Sequence, residues 1–369
     1  MKDMKDINFI AISIYMAFVF MNIGTASRII QYEELRYLIY FPFILGIFFI
    51  IKNKFRMEAV SLKHYPLNTA FFLILISASL NFLNLSMIGL YQLLFITAAL
   101  LPFLVFKEFN INWRIVSIIH IVGYLIVVSG QPITFNYSLE SLINSTTSSL
   151  ETNQHPFVFG ILTLYFLHKK DHKWFLINLL MVLISLKRIV LLGTLVTIPF
   201  IYLEQNKQLI FHKARWIFPM VNLMLIYFIL ALPSGLYNNL IQEYTSVSPG
   251  YLTMGRNALY GEILEAIRYL DIYNILFGMG QGYAYSITYN YFFTSPHCDL
   301  LVLLIDHGIL FYILFFGLLY RNKYLFPVIY TNIIWLTDNT LIYTFYLFTL
   351  LAINQSILAS NDNSCGNNP

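Results

Sequence analysis

Lys187 and Arg188 interrupt Trp174–Leu203, an otherwise apolar run of 30 residues. The flanks of the run, Lys169–Lys173 and Lys207–Arg215, are both basic and belong on one side of a membrane. The run is therefore a hairpin with the two cations at its tip. At 1.5 Å per residue it provides about 45 Å of helix, whereas two crossings of a ~30 Å hydrocarbon core need about 60 Å. The tip should thus lie below the outer interface. A recessed cation is costly unless it faces a cavity or an anion. Arginine offers a planar fork of donors that suits phosphate oxygens, and it stays charged at any working pH. Two readings stand: a turn whose side chains reach the outer headgroups, or a phosphate-binding corner.

A second cation, Arg256, opens the stretch Arg256-Asn-Ala-Leu-Tyr-Gly-Glu-Ile-Leu-Glu-Ala-Ile-Arg-Tyr-Leu270. Leu259, Ile263, Ala266, Ile267 and Leu270 fall at helical spacing, which predicts an amphipathic helix along the outer face. A cation at a helix start opposes the helix dipole, yet free backbone donors there attract anions. Arg268 can pair with Glu265 three residues earlier and reads as a solvated surface residue.

Arg256 lies inside a long polar interruption, Pro233 to His297, between two apolar blocks. Structureless loops beyond about 12–15 residues are usually functional. This one holds ten tyrosines, among them Tyr260 and Tyr283, whose flat hydroxylated rings suit sugar stacking or an interfacial belt. Gly278, Gly280 and Gly282 form a G-x-G-x-G run, either a flexible turn or a place where backbone approaches a ligand closely. His297 follows Pro296 at the start of a membrane segment; it is a helix cap or a base for a sugar hydroxyl. Asp306 and His307 lie about two turns into that segment, and ionisable residues inside a span are functional candidates.

These residues need a scaffold, and composition says which. The chain has 369 residues, 58% hydrophobic and 11% charged, with mean hydropathy +0.68. A soluble domain carries about 25% charged residues. The expectation is an all-α polytopic membrane protein, one membrane-embedded domain over residues 1–369. No contiguous basic face can be assembled, so nucleic acid is not a partner. Cys298 and Cys365 fall on opposite sides, so no disulfide is expected between them, and two lone cysteines make no metal site. The apolar run after Asp6 lacks a small-residue cleavage signature and reads as a retained first span.

About twelve transmembrane helices follow from the apolar runs: Asn8–Thr25, Leu35–Ile51, Leu67–Leu83, Met87–Phe106, Ile111–Ser129, Pro156–Leu167, Trp174–Leu186, Ile189–Leu203, Trp216–Leu232, Asp299–Tyr320, Tyr324–Leu336 and Thr340–Leu358. The large external loop, 233–297, falls between the ninth and the tenth. With both termini cytoplasmic, sixteen of the 22 Lys and Arg residues lie inside, as the positive-inside rule expects. The outside keeps Arg28, Arg36, Lys187, Arg188, Arg256 and Arg268, together with the Thr337-Asp-Asn339 turn and the connection Gly130–His155. No repeat relates the two halves.

In this order, Asn153-Gln-His-Pro156, Ser185-Leu-Lys-Arg-Ile-Val-Leu-Leu192, Met254-Gly-Arg256, Phe277-Gly-Met-Gly-Gln-Gly282, Pro296-His-Cys-Asp-Leu-Leu301 and Asp306-His-Gly-Ile-Leu310 resemble the motif series of the bacterial O-antigen polymerase and ligase superfamily. The resemblance covers roughly residues 153–318. The family usually has Ser-Arg where Lys187-Arg188 stands, His-Asn where His297-Cys298 stands, and a glutamate before the glycine where this chain has Asp306 with His307 interposed. The resemblance implies a GT-C-like, metal-independent glycosyltransferase of the bacterial inner membrane that needs no cofactor. Its donor and acceptor would be undecaprenyl-diphosphate-linked oligosaccharides, with membrane lipid around it and room for a chain-length regulator as partner. Arg188 and Arg256, helped by Lys187, would clamp the donor diphosphate. His297 would act on the acceptor hydroxyl, with inversion at the anomeric carbon. Gly278, Gly280, Gly282, Asp306, Tyr260 and Tyr283 would contact substrate. The alternatives are a ligase that moves finished polymer onto lipid A-core, a lipid-glycan flippase or transporter, and a structural membrane subunit.

Overall fold

A computed structural model describes residues 2–26, 32–52, 66–81, 84–105, 111–129, 154–205, 217–245, 250, 255–292 and 294–365. Arg28, Lys54, Arg56, Lys63, Lys107, Asn153, Lys207, Lys213, Arg215, Tyr251, Met254 and nearly all of the Gly130–His155 connection lie outside these residues. Among the described residues every regular element is helical. Runs of Leu, Ile and Phe this long leave the backbone no polar neighbours except its own carbonyls, and only a helix satisfies them within one segment.

Each of the twelve expected apolar stretches contains a helix. They are α1 (Lys2–Ala26), a 3-10 turn (Glu33–Tyr40) running into α2 (Phe41–Lys52), α3 (Pro66–Leu80), α4 (Met87–Val105), α5 (Trp113–Ser129), α6 (His155–His168), α7 (His172–Ile184), α8 (Arg188–Gln205) and α9 (Ile217–Ala231). After the polar interruption come α14 (Asp299–Leu319), α15 (Phe326–Ile334) and α16 (Thr344–Cys365). Two of the described helices, α8 and α14, are long and apolar enough to cross a membrane; the apolar stretches of α1, α3–α7, α9 and α16 run 10–17 residues. The interruption is itself mostly helical: α10 (Asn238–Thr245), α11 (Arg256–Arg268), α12 (Ile272–Phe277) and α13 (Tyr283–Phe292). The expected amphipathic helix is α11, which buries Leu259, Tyr260 and Ile263 and pairs Arg268 with Glu265 at 2.5 Å.

One core joins α1, α3, α4, α5, α6, α14, α15 and α16, with Phe71, Phe157, Phe315, Trp335 and Tyr346 nearly inaccessible within it. The outward faces are apolar as well. Leu176, Leu180 and Leu183 on α7, Leu192, Leu195 and Val196 on α8, Met220 and Met224 on α9, and Leu310 and Leu314 on α14 are all exposed. A helix that is apolar all round suits a membrane or a large core, and these faces are not in the core.

The hairpin has the expected tip. α7 ends at Ser185, Leu186 takes the left-handed conformation (φ +52°), and α8 begins at Arg188. α8, 18 residues long, then runs about 27 Å. Its far end meets α6 and the start of α15: Gln205 donates to the His168 carbonyl, and Glu204 accepts from the Leu325 backbone N–H. The bundle therefore has two polar ends. Lys187 marks one, and Arg114, Lys169, Asp171, Glu204 and Tyr324 mark the other.

Candidate active site

Four separate segments meet at the Lys187 end. The α7–α8 tip brings Lys187 and Arg188. The start of α11 brings Arg256, behind Gly255 at φ +80°. The strip before α14 brings Thr294, Ser295 and His297. The connection from α15 to α16 brings Asp338, Asn339 and Tyr343.

Lys187 anchors the arrangement. Its Nζ lies 3.1 Å from the Asp338 carboxylate and 4.8 Å from the centre of the Phe157 ring. Asp338 also accepts a hydrogen bond from the Tyr343 hydroxyl at 3.3 Å. Asn339 donates to Ser295 Oγ at 2.6 Å, tying this turn to the His297 strip. The carboxylate is buried, at 6% side-chain exposure, while the lysine keeps 18%. Lys187, Arg188, Arg256 and His297 are all half-buried, while the carboxylate that Lys187 meets is buried.

His297 sits at the centre. Burial pushes its pKa below the ordinary histidine value; the Arg256 guanidinium and the Lys187 ammonium push the same way, and only Asp338 opposes them. The imidazole is held neutral, with Thr294 Oγ1 3.4 Å from Nε2. Its backbone is left-handed, at φ +52°. Non-glycine residues with positive φ are uncommon and cluster where function over-determines the backbone. Two of the three such residues described here, Leu186 and His297, touch or form this cluster. Tyr260 is buried one turn along α11 from Arg256, and burial raises its hydroxyl pKa further than the neighbouring Arg256 lowers it.

The sequence expected Arg188, Arg256 and His297, helped by Lys187, to converge; in the structure Arg256 and Lys187 are the cations that act on the His297 ring. Arg188 opens α8 beside Lys187. Asp338 and Tyr343 were not among the expected site residues. The signal was available: Asp338 is the acidic residue in the short connection that the charge count puts on the same side.

The glycines and Asp306 need correction as substrate contacts. Gly278 presses against the backbone of Asp306 and His307, where a Cβ would collide, and its φ is +85°. Met279 N–H donates to the Ile305 carbonyl at 3.0 Å, and Gly280 N–H to that of Asp306 at 2.9 Å. They do so where α14 is broken at Gly308 (φ 80°, ψ 170°). The Asp306 carboxylate accepts from Gly282 N–H and Ala284 N–H, both at 2.8 Å, and so caps α13. Gly282 packs on Gly89. The whole strip is a backbone seat for the break in α14, because the freed carbonyls of a broken helix need donors. Tyr283 packs half-buried against the core, and His307 bonds Ser77 at 3.0 Å. The described residues hold no cluster of His, Cys, Asp or Glu suited to a metal ion. No family model, curated protein or solved structure matches the chain, so the meaning of the site rests on its own residues and geometry.

Proposed function

We propose that the chain is a polytopic, GT-C-like glycosyltransferase of the O-antigen polymerase type. It would join lipid-linked oligosaccharide units at the outer face of a bacterial inner membrane, with both termini in the cytoplasm and about twelve crossings. The observation that carries this reading is the convergence of Lys187, Arg256 and His297 over Asp338 at one end of the bundle. The apolar outward faces of α7, α8, α9 and α14 support membrane insertion, since soluble proteins rarely expose contiguous apolar patches beyond a few hundred Å².

The mechanism follows from the charges. Lys187, Arg188 and Arg256 hold the donor diphosphate. As the anomeric C–O bond breaks, negative charge grows on the leaving oxygen, and fixed cations gain most at that moment. The acceptor hydroxyl attacks the opposite face of the anomeric carbon and inverts it. Its proton passes to the neutral imidazole of His297, and Asp338, close enough to favour the protonated ring, stabilises the imidazolium. Asp338 also keeps Lys187 at the tip while no phosphate engages it.

The test is elongation of lipid-linked repeats by purified protein in detergent. Arg188→Ala and Arg256→Ala should each abolish long polymer with the protein still folded; normal long polymer from both refutes the mechanism. In a deletion strain, single-repeat lipopolysaccharide marks a polymerase, and free lipid-linked polymer marks a ligase. One observation favours a transporter: α14 is discontinuous at Gly308, as spans that line transport sites often are. Elongation in detergent, with no membrane to cross, excludes that reading.

A further inference from the structure

At the end of the bundle away from His297, α5, α6 and α7 leave an open groove of about 610 Å³. Its lining includes Asn112, Arg114, Tyr165, Lys169, Lys170 and His172. Arg114, Lys169 and Lys170 are the basic residues of the lining, and the one carboxylate in it is Asp171. That carboxylate is already committed. It takes two hydrogen bonds from the Arg114 guanidinium, at 3.0 and 2.7 Å, and caps α7 through Trp174 N–H. The groove keeps an excess of positive charge.

The turn that presents the lysines is unusual. Lys170 N–H donates to the Leu167 carbonyl at 3.0 Å, and Asp171 N–H to that of Phe166 at 2.9 Å. This is a Schellman end to α6, whose left-handed residue is usually glycine. Here it is Lys170, at φ +59°. A side chain is retained where the backbone would prefer none. Beside it, burial pushes the Lys169 amine below the ordinary lysine pKa, so a bound anion would favour its charged form. The wall is aromatic: Trp113 meets Tyr165 at a tilt and Tyr165 meets Phe166 edge to face, each at 5.4 Å between ring centres. Trp113 lines the groove and keeps its indole N–H buried, with no acceptor among the described residues.

We propose that this groove is a phosphate-binding site, filled at a membrane surface by the headgroup of an anionic phospholipid, with Lys169 and Lys170 as the anion ligands. Basic pockets between helices on the cytoplasmic side suit such headgroups, and aromatic rings suit the boundary beneath them. The lipid as source rests on the membrane reading above; the phosphate chemistry does not.

The decisive variant is Lys170→Gly, which relieves the left-handed strain and so should melt no lower than wild type. The purified full chain, stripped of lipid, is titrated with phosphatidylglycerol, with phosphatidylcholine and with inorganic phosphate, and retained lipid is read by native mass spectrometry. Wild type should prefer phosphatidylglycerol, and Lys170→Gly should weaken that binding about fivefold, one lysine's share of headgroup attraction. Lys169→Arg/Lys170→Arg should keep it. Arg321→Gln/Lys323→Gln, at the same end but outside the groove, should not change it. Phosphate that protects the protein without lipid, and does so less well in Lys170→Gly, assigns the site to free phosphate. Equal retention of both lipids, wild-type binding by a folded Lys170→Gly, or an equal loss in the Arg321/Lys323 variant overturns the proposal. Glycosyl transfer enters none of these readouts, so failure here and failure of the polymerase reading are separate results.

Discussion

The strip Gly278–Gly282 lies between Arg256 and His297 along the chain, and its residue types, with those of the cluster Lys187, Arg256 and His297, suggest one shared site. Their environments differ. The strip is spent on backbone: its N–H groups meet the carbonyls freed by the break in α14, and Asp306 caps α13. The cluster is organised by charge: Lys187 meets the buried Asp338 carboxylate, and burial, Arg256 and Lys187 lower the pKa of the half-buried His297 ring. Glycines and acids near the start of an apolar helix can therefore build the frame, while the basic residues of the cluster set its charge. The difference also predicts how each fails. Damage to the strip should cost the fold, and damage to the cluster should cost the reaction.

The largest effect is expected at the break. In Gly308→Ala the new Cβ meets the backbone of Gly278 and Leu276 at φ +80°. Strain and overlap together should cost more than about 3 kcal/mol, seen as lost expression or a sharply lowered Tm in detergent. A wild-type Tm would remove the distinction between strip and cluster. Arg256→Ala should do the reverse: elongation should fall about 10²–10³-fold, as for loss of one transition-state charge contact, with Tm nearly unchanged.

Asp338→Asn falls between the two. It leaves Lys187 half-buried without its carboxylate, which should cost about 1–3 kcal/mol in thermal unfolding and also slow transfer. An effect on Tm alone would place Asp338 in the frame. The pH profile is a finer probe. Because burial and Arg256 lower the His297 pKa, the acid limb of activity should lie below the ordinary value of about 6.5. The linkage has the same sign: the folded state binds this proton less readily than the unfolded chain, so the stability present above about 6.5 is lost as pH falls from there through the lower folded value. Arg256→Gln should move the limb upward. Arg268→Ala, at an exposed pair with Glu265, should change stability by no more than about 0.5 kcal/mol and leave elongation untouched.

Much of the scaffold was legible in the chain. Apolar runs located all twelve helical stretches, because local hydropathy and backbone satisfaction both act within a single segment. The basic pair Lys187-Arg188 and the basic stretch Lys169–Lys173 stand at opposite ends of the bundle, since α8 runs from Arg188 to Gln205 and Gln205 meets the His168 carbonyl. Spacing predicted α11 and its Glu265–Arg268 pair. The polar interruption was read as a loop; α12 and α13 are short, and their Tyr- and Gly-rich sequence gives little helical periodicity to detect.

Composition and hydropathy were sufficient for helix and order, because those quantities depend on neighbours along the chain. The pairing of Lys187 with Asp338 and the breaking of α14 over Gly278 belong to the folded state alone. Each joins residues tens of positions or more apart, and whether a carboxylate caps a helix, holds a lysine or touches a ligand depends on which backbone arrives beside it.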